Sequence, residues 1–184
     1  MDNFNPENFL GLIESDQNPD IHIVQLPYEM TTSYGQGTGE GPKAFIEASA
    51  QVELFDVRLG KDLPAGLKFS TVKPWESDTP TLRKQLDSMA VFASQFFTGK
   101  SFPLFIGGEH GILPPIVSAS RNHPLVSPDL SNLTIVQIDA HADIEKVWMT
   151  SLSRMLVPHH ALLILELVPL FKLESEHFLS KNMT

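Results

Sequence analysis

The chain contains no cysteine, which excludes disulfide bonds, thiolate chemistry and Cys-ligated zinc. Basic residues are scarce: 13 Lys and Arg stand against 22 Asp and Glu, for a formal net charge of −9 and a pI of about 5.1. An acidic surface of this kind repels phosphates, so neither nucleic acid nor membrane is expected as a partner, whereas a small cationic substrate is compatible with it. Long apolar runs are missing too. The longest, residues 161–171, is interrupted by Glu166 and Pro169 and is too short to cross a bilayer. The amino terminus, MDNFNPENFLGLIESDQNPD, has neither the basic start nor the apolar core of a signal peptide, so the expected compartment is cytoplasmic.

What is present is an ordinary globular balance, with 42% hydrophobic and 19% charged residues over 184 positions. That excludes a disordered chain, a collagen and a coiled coil, and the length suffices for a core without staples. Residues 21–26, IHIVQL, predict a strand. The polar stretch 28–41 has Gly35, Gly37, Gly39 and Gly41 at alternate positions and must be loop. Pro42 suits the first turn of a helix over 42–50, and the alternation in 52–57, VELFDV, suits a strand. The clearest helix spans 79–99, with Thr79 as N-cap, Pro80 in the first turn, apolar residues at helical spacing and Gly99 as its stop. A buried strand over 102–106 runs into Gly107-Gly108, a weaker helix covers 112–121, and a further strand covers 133–138. Strands alternating with helices predict an α/β domain with a mainly parallel sheet.

Two strand ends carry the chemistry. Gly107-Gly108-Glu109-His110 follows one strand and Asp139-Ala140-His141-Ala142-Asp143 follows another. In a parallel sheet both ends lie on the carboxyl edge, where ligands of open α/β sheets bind. Asp139, His141 and Asp143 stand at i, i+2 and i+4, which in extended backbone directs two carboxylates and an imidazole to one side. Such crowding calls for a cation. Imidazole with carboxylate suits Mn, Fe, Zn or Ni, Mn being the most tolerant of oxygen-rich coordination. A single Asp or His after a strand is usually only a turn or cap residue; the D-x-H-x-D pattern together with the upstream His110 makes metal ligation the stronger reading. Glu109 is the weakest member, either orienting a ligand or simply solvated.

These segments resemble two of the three signature motifs of the ureohydrolases, the arginase and agmatinase family. The opening loop agrees as well: Tyr28-Glu29, Thr31-Thr32-Ser33-Tyr34-Gly35, Gly37-Thr38 and Gly41-Pro42, followed by Ile46 and Ala48-Ser49, look like the agmatinase type. The resemblance covers about residues 20–145. It implies a three-layer α/β/α fold, arginase-like, with a mainly parallel sheet and a binuclear Mn²⁺ site whose bridging hydroxide attacks a guanidinium carbon. For agmatine the products are urea and putrescine. Carried over by position, His110, Asp139 and Asp143 match ligands of one manganese, His141 matches a ligand of the other, and Asp139 bridges both. A homo-oligomer is implied, as family members usually assemble.

The sequence departs from the family pattern in two places. Gly111 stands where the family usually has Ser. The third motif, Ser-x-Asp-x-Asp with a further Asp-Pro, is not found, nor is a His-Gly segment after the second motif; His159 and His160 are no convincing substitute. Residues 146–184 contain no Asp, and Glu166, Glu174 and Glu176 have no ligand spacing. The expectation is the N-terminal part of a ureohydrolase domain over 1–145 and a divergent, truncated or frame-shifted tail over 146–184. Four ligand residues then remain where the family uses six. Two alternatives accompany this reading: an inactive remnant binding at most one metal, and another ureohydrolase such as an arginase, formiminoglutamase or guanidinobutyrase.

Overall fold

Residues Ile21–Leu26 form β1, and their burial explains their place in the middle of a sheet: Ile23, Val24 and Leu26 are wholly enclosed and Gln25 nearly so. The computed structural model describes residues 4–14, 18–32 and 35–139, and the backbone of 162–166. It divides into two compact units, Met1–Pro128 and Asp129–Thr184.

In the first unit β1 lies between β4 (Phe69–Thr71) and β5 (Phe102–Gly107), parallel to both. The register with β5 runs from Ile21↔Phe102 to Leu26↔Gly107, so the two strands end side by side. Successive side chains of β1 face opposite ways. On one face Val24 and Leu26 join Tyr28, Trp75 and Met89 in a core flanked by Leu86, Phe92, Phe105 and Ile116. That face is covered by α2 (Leu82–Ser94), which packs on α3 (Leu113–Ser120). Fully burying side chains such as Val24, Leu26 and Met89 stabilises the fold by about 1.5–3 kcal/mol each. On the other face, Phe69 shares a side with Ile21. Its ring meets Phe9, 5.3 Å away, and Phe9 stacks on Phe45 of α1 (Gly41–Ser49) at 5.7 Å. Helices thus cover both faces of a parallel sheet, as the three-layer expectation requires.

Several elements differ from their expected bounds. The helix expected over 79–99 is α2, with Thr81 rather than Thr79 at its N-cap position. Pro80 favours extended backbone before it, and Gln85 Nε2 donates to the Thr79 carbonyl at 2.9 Å. At its far end Gln95, Phe96 and Phe97 donate three residues back instead of four, which tightens the chain before Gly99 at φ +76°. The strand expected over 52–57 is reduced to β2 (Phe55–Asp56), paired antiparallel with β3 (Lys61–Asp62). The Asp56 carboxylate accepts the Arg58 and Leu59 N–H groups, and Gly60 takes φ +60°, turning the chain back on itself. β4 was not anticipated. The helix expected over 112–121 is α3, one residue shorter at each end, and the one expected over 42–50 is α1, begun and ended one residue earlier.

The second unit contains β6 (Ile135–Asp139) and β7 (Leu162–Glu166), parallel, from Ile135↔Leu162 to Asp139↔Glu166. β7 comes from within the longest apolar run of the sequence. Asp129 begins a helical turn before β6 by accepting the Ser131 N–H at 2.9 Å. The boundary expected near residue 145 lies outside the described residues. No helix among the described residues is long and apolar enough to cross a membrane.

Candidate functional site

The carboxyl ends of β1 and β5 are joined by main-chain bonds. Gly108 N–H donates to the Leu26 carbonyl at 3.1 Å, and Glu109 N–H to the Tyr28 carbonyl at 3.0 Å. Gly108 is threaded through a space no side chain fits: a Cβ there would lie 2.2 Å from the Tyr28 carbonyl oxygen and 3.0 Å from that of Thr38. A Cβ on Gly41, at the start of α1, would lie 3.3 Å from the Gly107 carbonyl oxygen. The loop before α1 therefore rests directly on the Gly107-Gly108 turn.

Two carboxylates hold that loop. Glu29 accepts the Gly37 N–H at 2.8 and 3.0 Å and the Gly39 N–H at 2.9 Å. The Gly39 and Gly37 N–H groups keep its carboxyl below its ordinary pKa. Glu109 is buried and accepts the Met30 N–H at 3.0 Å, the Thr31 N–H at 2.9 Å and the Thr31 hydroxyl. It is not the solvated side chain weighed from sequence. Tyr28, enclosed beside it, has its hydroxyl pKa raised by burial and then by the Glu109 charge.

His110 follows at once, exposed, in a helical turn over His110–Ile112 that leads into α3. Asp139 is the last residue of β6 and half-buried; its Oδ2 accepts from Gln137 Nε2 at 3.1 Å. Asp139 ends β6 and His110 stands in the turn after β5, so the two expected ligands belong to different compact units. His141 and Asp143 lie outside the described residues. Among the described residues no three His, Asp or Glu side chains gather into a group able to hold a metal ion. What sequence reasoning missed is the second use of carboxylates here: Glu29 and Glu109 bind the chain's own backbone. The available signal was the loop itself, whose many N–H groups need acceptors.

The sequence profile of the Arginase family matches residues 19–164, and the chain belongs to that family. It is 33% identical over 144 residues to an N(1)-aminopropylagmatine ureohydrolase of Synechocystis, an alignment covering 75% of this chain and 45% of that protein. It is 27% identical over 143 residues to an agmatinase of Bacillus anthracis, covering 75% and 45%. The chain thus spans about half the length of the curated relatives it matches. Among solved structures it resembles a hypothetical agmatinase from Burkholderia thailandensis (TM-score 0.69, 19% identity, 86% of this chain and 52% of that one). It also resembles a formiminoglutamase of Trypanosoma cruzi described with Mn²⁺ (TM-score 0.55, 18% identity, 72% and 43%). These likenesses establish an arginase-like α/β fold.

Proposed function

We propose that this chain carries the amino-terminal part of a manganese-dependent ureohydrolase site of the agmatinase type, which hydrolyses a guanidino C–N bond. One observation carries the reading. Within the matched region, His110 stands in the turn that follows β5 and Asp139 ends β6, each at the carboxyl end of a parallel strand, where α/β sheets bind ligands. The donor set fits the metal: imidazoles with carboxylates suit Mn²⁺, and the carboxylates offset its charge. His110, Asp139 and Asp143 would hold one ion, His141 the other, with Asp139 shared. Bound manganese would supply a Lewis acid able to bring the pKa of water toward neutrality. A guanidinium is resonance-stabilised and a poor electrophile, so a nucleophile of that strength is required.

The names of the relatives point to agmatine or its aminopropyl derivative as substrate, with putrescine or a longer polyamine and urea as products. The partner is then a small cationic guanidino compound rather than nucleic acid or a membrane, in a cytoplasmic homo-oligomer. Urea release is measured with agmatine, aminopropylagmatine, arginine and guanidinobutyrate, with and without Mn²⁺. Mn²⁺-dependent release from agmatine or its aminopropyl derivative, abolished by His110→Ala, is the expected result. Release only from arginine or guanidinobutyrate replaces the substrate assignment.

A second reading, a chain that binds one metal and does not turn over, rests on the absence of Asp from residues 146–184. Among residues 1–184 the candidate ligands of the second ion are Asp139 and His141, and an ion held by two protein ligands is bound weakly. Metal content per chain separates the two: about two ions supports the enzyme, while one or fewer with no urea released supports the inactive form.

A further inference from the structure

The Glu109 carboxylate is buried, yet both of its oxygens are spent on a segment 78 and 79 positions away in sequence: Oε2 takes the Met30 and Thr31 N–H groups and Oε1 the Thr31 hydroxyl. Burying a charge is costly unless several good donors surround it, and charge-assisted bonds to N–H and O–H are the strong kind. An apolar side chain would fill the space more cheaply if filling were all that was needed. Glu109 is also the residue before His110, and its own N–H is bound to the Tyr28 carbonyl at 3.0 Å. Backbone and side chain of one residue therefore grip Tyr28, Met30 and Thr31 together. On the far side, Gly108 and Gly107 are in close approach to Thr38 and Gly41. The backbone from which His110 projects is closed in by both ends of the glycine-rich loop.

We infer that Glu109 is a positioning residue: its carboxylate registers the Met30-Thr31 segment against the turn carrying His110, and so fixes where the His110 imidazole is presented to a divalent cation. The inference rests on the functional reading above, which makes His110 a ligand. Glu109 touches neither substrate nor metal in this role. Its loss should act through His110, much as removal of the groups that orient metal ligands does elsewhere.

The test uses the 184-residue chain with Glu109→Gln and Thr31→Val. Mn²⁺ affinity is measured by isothermal titration calorimetry and amide exchange by residue-resolved NMR. In Glu109→Gln the Met30 and Thr31 amides should exchange about tenfold faster or more, with Val24 and Phe105 unchanged. The Mn²⁺ dissociation constant should rise about 10- to 100-fold. Thr31→Val, which removes only the hydroxyl donor, should lie between it and the parent. Faster exchange throughout β1 and β5 would mark a general loss of fold and overturn the positioning role. Unchanged Mn²⁺ affinity in Glu109→Gln overturns it too, while leaving the functional reading intact. A parent chain that takes up no Mn²⁺ overturns the functional reading and this inference with it. If Glu109→Gln does not fold, Thr31→Val decides: weakened Mn²⁺ binding supports the role, and parent-like binding overturns it.

Discussion

Gly108 and Gly111 flank Glu109-His110, and their surroundings predict different tolerances. A Cβ at 108 would meet backbone oxygen at 2.2 Å, and backbone cannot swing aside. Overpacking of this kind costs about 1–3 kcal/mol, so Gly108→Ala should lower the urea unfolding midpoint by that equivalent with the slope unchanged. At Gly111 a Cβ would lie 2.8 Å from the Tyr28 ring and 2.9 Å from Glu109 Oε1. Both are side-chain atoms, enclosed but less fixed than backbone, so Gly111→Ala should cost less than Gly108→Ala; an equal or larger loss would contradict this account. None of this was legible from residue types. The placement of His110 and Asp139 at the carboxyl ends of β5 and β6 was, because each follows or ends an apolar run. Glu109 was not, because a carboxylate that binds backbone 78 positions away leaves no local spacing to read.

At the scale of elements, α2 supplies the sharpest contrast. Met89 is fully enclosed between the sheet and its neighbours, while Val91, two positions on, is 68% exposed. Met89→Ala should cost about 2–5 kcal/mol from lost burial and the cavity left behind. Val91→Ala should stay within about 0.5 kcal/mol. Equal effects of the two would mean that α2 does not present the Met89 face to Val24 and Leu26. Periodicity located β1, α1, α2 and α3 because each buries a face of its own, and apolar runs located β5 and β6. It overlooked β4, whose three residues precede Pro74 and carry too little pattern to register. There β4 is specified from outside: Ile23 accepts the Val72 N–H, Gln25 Nε2 donates to the Val72 carbonyl, and the Gln25 carbonyl accepts the Trp75 N–H. It misread 52–57 for the opposite reason, since local alternation was overruled by the turn that Asp56 and Gly60 impose.

The dependence of folding on pH is a property of the whole molecule, and its sign follows from three groups. His22 on β1 packs against Phe96, with ring centroids 5.2 Å apart, and its buried Nδ1 has no hydrogen-bond partner among the described residues. Burial lowers its pKa from the ordinary 6.5, so the folded chain refuses a proton that the unfolded chain accepts. Stability from this source is complete above about pH 6.5 and falls as the pH drops toward the folded value. Glu29 and Asp129 are held below their ordinary values of 4.5 and 3.8, chiefly by backbone N–H groups of Gly39 and of Ser131. Their contribution is present above those values and is lost as the pH falls through the lowered ones. All three slopes have the same sign, so thermal midpoints should decline in two steps on acidification, one below about pH 6.5 and one below about pH 4.5. His22→Phe, which places an apolar ring beside Phe96, should remove the first step and leave the second. A first step of undiminished size in that variant would place the neutral-range proton uptake on another group.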